Sequence, residues 1–245
     1  MQILEVDSCS STNILAANLA REKPFEPHLI ISHEQTEGKG QRNKIWHSPK
    51  NGSWYFSISV PNLNIKASES FKINWLVIAG LLSYFKQLKM ANIAIKWPND
   101  IYTENGKLGG VLIENQVIGE RIKSTIVGVG INKLPINIPE SVFGVTSLVQ
   151  ESIKNLEGNN LEIQKLSKYI LASLTNPSVN YEQIFLELNQ FLFGKGKTFL
   201  FKKDDEEIEA MVIGLTKNGM LQLVKKNNSK QFTEHANSLI WLHEV

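Results

Sequence analysis

The spacing of apolar residues divides the chain into a mixed portion and a β-rich end. A period near 3.6 residues predicts four helices, the first of which begins with the capping residues Ser10 and Ser11. The helices cover residues 10–21, 68–90, 161–175 and 181–193. Apolar or alternating runs predict strands at residues 28–35, 51–60, 93–97, 110–115 and 124–130. Helices and strands are therefore interleaved over most of the chain.

The character of the sequence changes after Gly194-Lys195-Gly196. Short strand-like runs follow, separated by Asp-Asp, Lys-Asn-Gly and Asn-Asn turns. The runs are TFLFKK, EEIEAMVIGL, MLQLVKK, KQFTEH and SLIWL. This pattern predicts a small all-β barrel at residues 195–245, beside a larger domain at 1–194. Because no flexible linker joins them, we expect the two parts to pack together.

Composition narrows the class of protein without naming a function. The chain has 245 residues, a formal net charge of +2 and the single cysteine Cys9, so it cannot form an internal disulfide. The charge is too small to predict nucleic-acid binding unless the cations cluster. The most apolar window, WLVIAGLL, is far shorter than the ~20 residues of a membrane span. With no export signal at MQILEVDS, we expect a cytoplasmic protein.

A basic, glycine-rich loop follows the first apolar strand. Its backbone N–H groups and cations suit a phosphate or carboxylate. The residues concerned are Gly38, Lys39, Gly40, Gln41, Arg42 and Asn43, and Trp46 after them could stack on a planar base. The plainer alternatives are a solvated hairpin loop and a core tryptophan.

The segment KWPNDIYTENGKLGG contains polar residues that a hairpin does not require, since Glu104-Asn105-Gly106 already supplies the turn. Asn99 and Asp100 offer two oxygen ligands suited to Mg²⁺ held with substrate phosphates. Lys107 opens a strand that is otherwise uncharged through Ile113, which favours a role against an anion. The alternatives are that Asp100 caps a turn and that Lys107 reaches out to solvent.

The last motif, GVGIN, ends a strand with glycines two residues apart. Gly128 and Gly130 allow a ligand close to the main chain, and the carboxamide of Asn132 could both donate to and accept from a purine edge. A β-bulge is the alternative. The G-x-G-x-x-G fingerprint of dinucleotide binding does not occur, and the five histidines lack metal-ligand spacing.

An anion loop, an aromatic plate, a magnesium pair, an isolated lysine and a purine-reading amide are together the parts needed to adenylate a carboxylate. Their order also resembles that of the biotin protein ligases. The matching motifs are Ser11-Thr12-Asn13, GKGQRNKIW, KWPND, Lys107-Leu108-Gly109-Gly110 and GVGIN. The resemblance covers nearly the whole chain. It implies an α+β fold, with a mixed sheet and packed helices similar to class II synthetases, plus a C-terminal SH3-like barrel.

The resemblance further implies a two-step reaction. ATP and biotin would give biotinyl-5'-AMP with Mg²⁺, and a lysine of the biotin carboxyl carrier protein of acetyl-CoA carboxylase would then take the biotinyl group. Relatives that also repress transcription carry an N-terminal helix-turn-helix. This chain begins close to the Ser-Thr-Asn motif, so we expect a short form that binds neither DNA nor a membrane. Because loops like 36–46 form a dimer surface in some relatives, the resemblance also allows a homodimer.

Residue roles follow from the matched positions. The implied biotin contacts are Ser11, Thr12, Asn13, Gln35, Gly38, Lys39, Lys107, Gly110 and Gly128. The implied ATP contacts are Lys39, Arg42, Trp46, Asn99, Lys107 and Asn132, with Asn99 and Asp100 as metal ligands. Lys107 and Arg42 would be catalytic, Lys107 by stabilising charge between the biotin carboxylate and the α-phosphate.

The chain departs from the family in its basic loop. Many relatives have Gly-Arg-Gly-Arg-Arg-Gly, whereas Lys39, Gln41 and Asn43 stand here in place of two arginines and a glycine. Since lysine lacks the bidentate fork of arginine, we expect weaker retention of the adenylate. One rival is a lipoate or octanoate ligase, although the usual Arg-Arg-x-Ser-Gly-Gly-Gly stretch is missing. The other is a non-catalytic binding module, which would leave Lys107 and Asp100 without a task.

Overall fold

A computed structural model describes residues 1–47, 49–90, 92–136, 143–153, 158–236 and 238–245, with only the backbone at Asn43. The helices are α1 (Thr12–Glu22), α2 (Phe71–Gln87), α3 (Asn159–Thr175) and α4 (Tyr181–Gln190). The first strands are β1 (Gln2–Val6), β2 (His28–Ser32), β3 (Ser53–Pro61), β4 (Ala94–Lys96), β5 (Asp100–Thr103), β6 (Gly106–Ile118) and β7 (Arg121–Asn132). The later strands are β8 (Thr198–Lys203), β9 (Glu206–Leu215), β10 (Leu221–Lys225), β11 (Gln231–Glu234) and β12 (Ile240–Glu244).

Seven strands form one mixed sheet in the order β1-β2-β3-β7-β6-β5-β4. Only β1 and β2 run parallel among these pairs; the others are antiparallel. Alternation along β2 turns Leu29 and Ile31 towards the large core and Ile30 towards Ala16 of α1. Both faces of the sheet are therefore covered, and the α+β prediction is confirmed.

Helices α2 and α3 pack closely together where Gly80 faces the backbone of α3. A Cβ at Gly80 would lie 2.7 Å from Cα of Ile170, so only glycine permits this approach. None of the described helices is long and apolar enough to cross a membrane.

The C-terminal strands form a second, antiparallel sheet in the order β11-β10-β9-β8-β12. The predicted β-rich end is thus confirmed. Its strand order has β11 and β12 at the two ends, so closure into an SH3-like barrel stays a prediction.

Aromatic packing joins the two parts of the chain. The Phe193 ring lies 4.9 Å from that of Tyr102 and 6.0 Å from that of Phe199, centroid to centroid, and Phe199 lies 5.0 Å from Trp241. The expectation that the parts pack together is therefore confirmed. The division at residue 194 coincides with a turn at Gly194, where φ is +71°, but it stays a prediction.

Candidate functional site

A cavity of about 250 Å³ opens between the large sheet, the loop after β2 and the segment that joins β11 to β12. It brings together most of the residues that the sequence singled out. The predicted residues that line it are Ser11, Thr12, Asn13, Gln35, Lys39, Arg42, Trp46, Asn99, Asp100, Lys107, Gly110 and Gly128. Gly38 and Asn132 are predicted residues that do not line it. Five separate stretches of sequence therefore meet at one place.

The floor of the cavity is a row of residues in register across four strands. Gly130 of β7 pairs with Gly110 of β6, Gly110 with Asp100 of β5, and Asp100 with Lys96 of β4. Residues directly opposite each other in a sheet point to the same face. The row therefore presents two open glycine positions and then two charged side chains.

The glycines of this row make room for the indole of Trp46. A Cβ at Gly130 would lie 2.5 Å from Cε2 of Trp46, and one at Gly110 would lie 3.3 Å from Cζ3. The loop folds back because the backbone N–H of Trp46 donates to the Gly38 carbonyl at 2.9 Å. Gly38 thus shapes the loop from outside the cavity, and the indole, which contacts both glycine positions, could serve as a wall for a planar group.

One end of the cavity, over β3 and β7, is polar and uncharged; we call it the amide end (Ser11, Thr12, Asn13 and Gln35). The Gln35 carboxamide oxygen accepts from the Thr12 N–H at 2.9 Å and lies 3.1 Å from the Thr12 hydroxyl. Ser57 Oγ of β3 lies 2.7 Å from Thr12 Oγ1. This partly buried network presents fixed donors and acceptors to a neutral polar ligand.

Asn13 is itself held in place at the amide end. Its Nδ2 donates to Oε2 of Glu114 at 2.6 Å, and its Oδ1 accepts from the Ser57 hydroxyl at 2.6 Å. A Cβ at Gly128 would lie 2.2 Å from that Oδ1. Gly128 is therefore required by the position of Asn13.

The opposite end, over β4 to β6, is the charged end (Lys96, Asp100 and Lys107). Nζ of Lys107 lies 2.7 Å from Oδ1 of Asp100, each side chain being 25% exposed, and 5.4 Å from the Trp46 ring centroid. Asn99 Nδ2 donates to the Val111 carbonyl at 2.5 Å, which leaves Oδ1 as the carboxamide atom able to take a cation. Lys107 is thus placed between the indole and a carboxylate.

Lys96 at the charged end received no role from the sequence. Its Nζ lies 3.9 Å from the ring centroid of Phe143, 5.3 Å from that of Tyr102 and 5.4 Å from that of Trp241. The pKa of its ammonium is lowered from 10.5 to about 8, mainly because the group is buried. Attraction to Asp100 raises this pKa, and repulsion from Lys107 and Lys44 lowers it. Because Phe143 and Trp241 are distant in sequence, only the three-dimensional structure exposes this setting.

Arg42 lies exposed on the loop and reaches across to the C-terminal sheet. One of its Nη atoms, Nη2, donates to the Ala236 carbonyl at 3.0 Å and to the Leu239 carbonyl at 3.1 Å. The arginine predicted to bind phosphate therefore ties the loop to the β11–β12 connection here. Its predicted catalytic role needs these two bonds to be exchanged for bonds to substrate.

Asn132 differs most from its expected role. It is 3% exposed, and Nδ2 donates to the carbonyls of Lys107 at 3.2 Å and Thr146 at 3.1 Å. The amide thus braces the backbone at Lys107 directly and also the backbone at Thr146, whose own N–H donates to the Lys107 carbonyl at 2.9 Å. In this arrangement the residue positions the catalytic candidate rather than facing the cavity, and its contact with adenine stays a prediction.

Several known proteins resemble the chain in sequence. The bifunctional ligase/repressor BirA of Bacillus subtilis is 30% identical over 155 residues, which make up 62% of this chain and 47% of that protein. The biotin–[acetyl-CoA-carboxylase] ligase of Paracoccus denitrificans is 28% identical over 108 residues, 42% of this chain and 43% of that protein. The matched part of the chain thus spans about half the length of these curated relatives.

Solved structures match over almost the whole length. A biotin protein ligase from Aquifex aeolicus in complex with biotin and ATP superposes with a TM-score of 0.75 and 20% identity, covering 98% of this chain and 99% of that one. These values establish a shared fold. The sequence profile described as "Biotin/lipoate A/B protein ligase family" matches residues 5–132, just over half of the chain. The chain therefore belongs to the biotin/lipoate A/B protein ligase family.

Proposed function

We propose that the protein is a biotin protein ligase, which activates biotin with ATP as biotinyl-5'-AMP and transfers the biotinyl group to a lysine of a carrier protein. The observation that carries the proposal is the ordered row Gly130, Gly110, Asp100 and Lys96, with Trp46 resting on its glycines. Family membership and the names of the relatives support the same reaction.

The two ends of the cavity suit the two ends of biotin. The ureido group is neutral and both donates and accepts hydrogen bonds. The amide end does the same, because Thr12 and Gln35 are held there in a partly buried network. A carboxylate on a flexible chain would extend from there towards Lys107. Trp46 would stack on the adenine. Biotin therefore enters with its reacting oxygen at the charged end.

Adenylation transfers an AMP group to a carboxylate oxygen. That oxygen attacks the α-phosphorus, the bond between this phosphorus and the α–β bridging oxygen breaks, and the electron pair leaves with pyrophosphate. Negative charge grows on the α-phosphate oxygens during the attack. Lys107, fixed by Asp100 at 2.7 Å, provides a positioned positive charge that stabilises this state.

A magnesium ion fits the residues of the charged end. Among the described residues no cluster of three or more His, Cys, Asp and Glu side chains could hold a metal by itself. Mg²⁺ commonly needs only one or two protein oxygens besides phosphates and water, and Asp100 and Asn99 would supply them. Bound there with ATP, the metal would neutralise phosphate charge.

Transfer requires the neutral ε-amine of an acceptor lysine. Its nitrogen attacks the carbonyl carbon of the mixed anhydride, the bond from this carbon to the phosphate oxygen breaks, AMP leaves with the electron pair, and the nitrogen loses one proton. We propose that the acceptor is the biotin carboxyl carrier protein of acetyl-CoA carboxylase, because the Paracoccus denitrificans relative is named for that substrate.

The test is transfer to a purified carrier domain with ATP, Mg²⁺ and biotin, followed by intact mass and peptide mapping. We expect one biotinyl group on the target lysine, and none on a carrier whose target lysine is replaced by arginine. A parallel reaction with lipoate should leave the carrier unmodified. An unmodified carrier in the biotin reaction, under conditions in which a known ligase labels it, would refute the proposal; lipoylation would move the protein to the lipoate branch of the family.

A further inference from the structure

The charged end contains a cation beyond the one expected to act on the α-phosphate. From Gly130 on β7 to Lys96 on β4 the row crosses three inter-strand spacings, a distance of about 14 Å. Lys107 and Asp100 occupy the middle of this span, and the amide end lies on the far side of it. Lys96 is therefore the residue of the row that lies furthest from the place proposed for the ureido group.

The ammonium of Lys96 lies among aromatic rings rather than beside a carboxylate. Phe143, Tyr102 and Trp241 surround it, while Oδ1 of Asp100 pairs with Lys107. Within the described parts of the chain, the Lys96 ammonium forms no ion pair and no hydrogen bond. The π faces of the rings stabilise the positive charge. The three N–H donors of the ammonium remain available to a ligand in the cavity. Lys96 is thus a half-buried cation at the cavity wall with available hydrogen-bond donors, which makes it suitable for binding an anion.

The direction of the reaction indicates which anion Lys96 would bind. In phosphoryl-group transfer the attacking and leaving oxygens lie roughly in line through phosphorus. Because the carboxylate arrives from the amide end, the leaving group departs towards the opposite end of the row. We infer that Lys96 is a catalytic residue that binds the β- and γ-phosphates of ATP and holds the pyrophosphate as it leaves. The inference rests on the proposed function, which it deepens.

Lys96 has a second interpretation, as a purely structural contact between the two sheets, since Trp241 belongs to β12 and Lys96 to β4. A structural contact would affect both half-reactions and the melting temperature together. A pyrophosphate ligand would affect only the steps that involve pyrophosphate. The two interpretations therefore differ in a measurable way.

The decisive experiment is biotin-dependent exchange of labelled pyrophosphate into ATP, in the wild type and in Lys96→Met and Lys96→Arg. We expect Lys96→Met to raise the KM for pyrophosphate about 10- to 100-fold, the usual effect of losing a hydrogen bond to a charged group. Lys96→Arg keeps the positive charge, so its KM for pyrophosphate should rise less than that of Lys96→Met. Transfer from preformed biotinyl-5'-AMP to a carrier should stay unchanged in both variants, because that step involves no pyrophosphate.

The outcomes distinguish a failure of the proposed function from a failure of the role assigned to Lys96. Absence of exchange in the wild type would refute the proposed function. Exchange in the wild type with an unchanged KM for pyrophosphate in Lys96→Met, or with equal losses in exchange and transfer, would refute the role of Lys96 alone.

Discussion

The Lys107 ammonium and the Asp100 carboxylate hold each other at 2.7 Å in the middle of the cavity. Neither group would serve the proposed reaction well alone. A lysine without the carboxylate would be mobile, and a carboxylate without the lysine would repel phosphate. In the proposed reaction the pair would present a fixed cation to the substrate and a carboxylate oxygen to a metal ion. Two predictions separate these roles.

Replacing Lys107 by alanine should slow biotin adenylation about 10²- to 10³-fold, the usual cost of removing one positioned partner of a charged transition state. Single-turnover formation of biotinyl-5'-AMP measures this step. Lys168→Ala removes an exposed lysine of α3 outside the cavity and serves as the matched control. A loss below tenfold in Lys107→Ala would contradict a role in stabilising the transition state.

Replacing Asp100 by asparagine keeps the shape and removes the charge. Losing even a neighbour of a metal ligand costs about 10- to 100-fold in metal affinity, so the half-saturating Mg²⁺ concentration for adenylation should rise at least about tenfold. The control is Asp205→Asn, at an exposed position of the β8–β9 turn. Superimposable magnesium titrations for wild type and Asp100→Asn would argue against metal binding at this carboxylate.

Strands β6 and β7 create the site as much by what they lack as by what they carry. The absence of side chains at Gly110 and Gly130 lets the loop bring Trp46 onto the sheet. The loop is in turn tied to the C-terminal sheet by Arg42. A side chain on the strand should therefore disturb the loop without disturbing the core.

Gly130→Ala tests this dependence. Its Cβ would lie 2.5 to 2.8 Å from three atoms of the Trp46 indole, so the ring must move off its place. Because stacking of a base on an aromatic ring contributes about 1–3 kcal/mol, the KM for ATP should rise about 5- to 100-fold with little change in melting temperature. Lys123→Ala, at an exposed position on the same strand, is the control. A wild-type KM in Gly130→Ala would mean that Trp46 does not contact ATP.

Most elements could be predicted from sequence because their residues have one buried face. Strand β3 and helix α2 carry long apolar patterns and appeared within a few residues of their predicted positions. Strand β1 was not predicted, since it is a mostly exposed edge strand and has no buried face to produce alternation. Strand β5 was not predicted because its four residues are too short to show a period. The SH3-like closure needs strand pairing that no local pattern specifies.

The site could be predicted only where its residues lie close together in sequence, within one motif. Asn99, Asp100 and Lys107 lie close together in sequence and in space, and they meet as expected. The environment of Lys96 depends on Phe143 and Trp241, and the bonds of Arg42 lead to Ala236 and Leu239. Contacts across about 50 to 200 residues of chain leave no periodic signal in a single sequence.

At the scale of the whole molecule, the hydrophobic core continues through the predicted domain boundary. Phe193 contacts Tyr102 on one side and Phe199 on the other, and the Trp97 indole N–H donates to the Gly219 carbonyl at 3.0 Å. Strand β12 and the connection before it also supply part of the cavity wall, at Leu239, Ile240 and Trp241. The two parts should therefore behave as one cooperative unit.

Calorimetry tests this continuity. We expect one unfolding transition whose calorimetric and van't Hoff enthalpies agree. Phe199→Ala, at a fully buried position, should lower that single transition by roughly 6–20 °C, from a cost of about 3–5 kcal/mol. Two separate transitions in the wild type, or a shift of only one of them in the variant, would show that the parts unfold independently.

The central claim is that the row of residues from the amide end to the charged end activates a biotin carboxylate. Biotin-dependent exchange between ATP and pyrophosphate in the presence of Mg²⁺, with lipoate as the control acid, measures that activation without requiring a carrier. We expect exchange with biotin and no exchange with lipoate or without an acid. A folded preparation that exchanges with neither acid would contradict it.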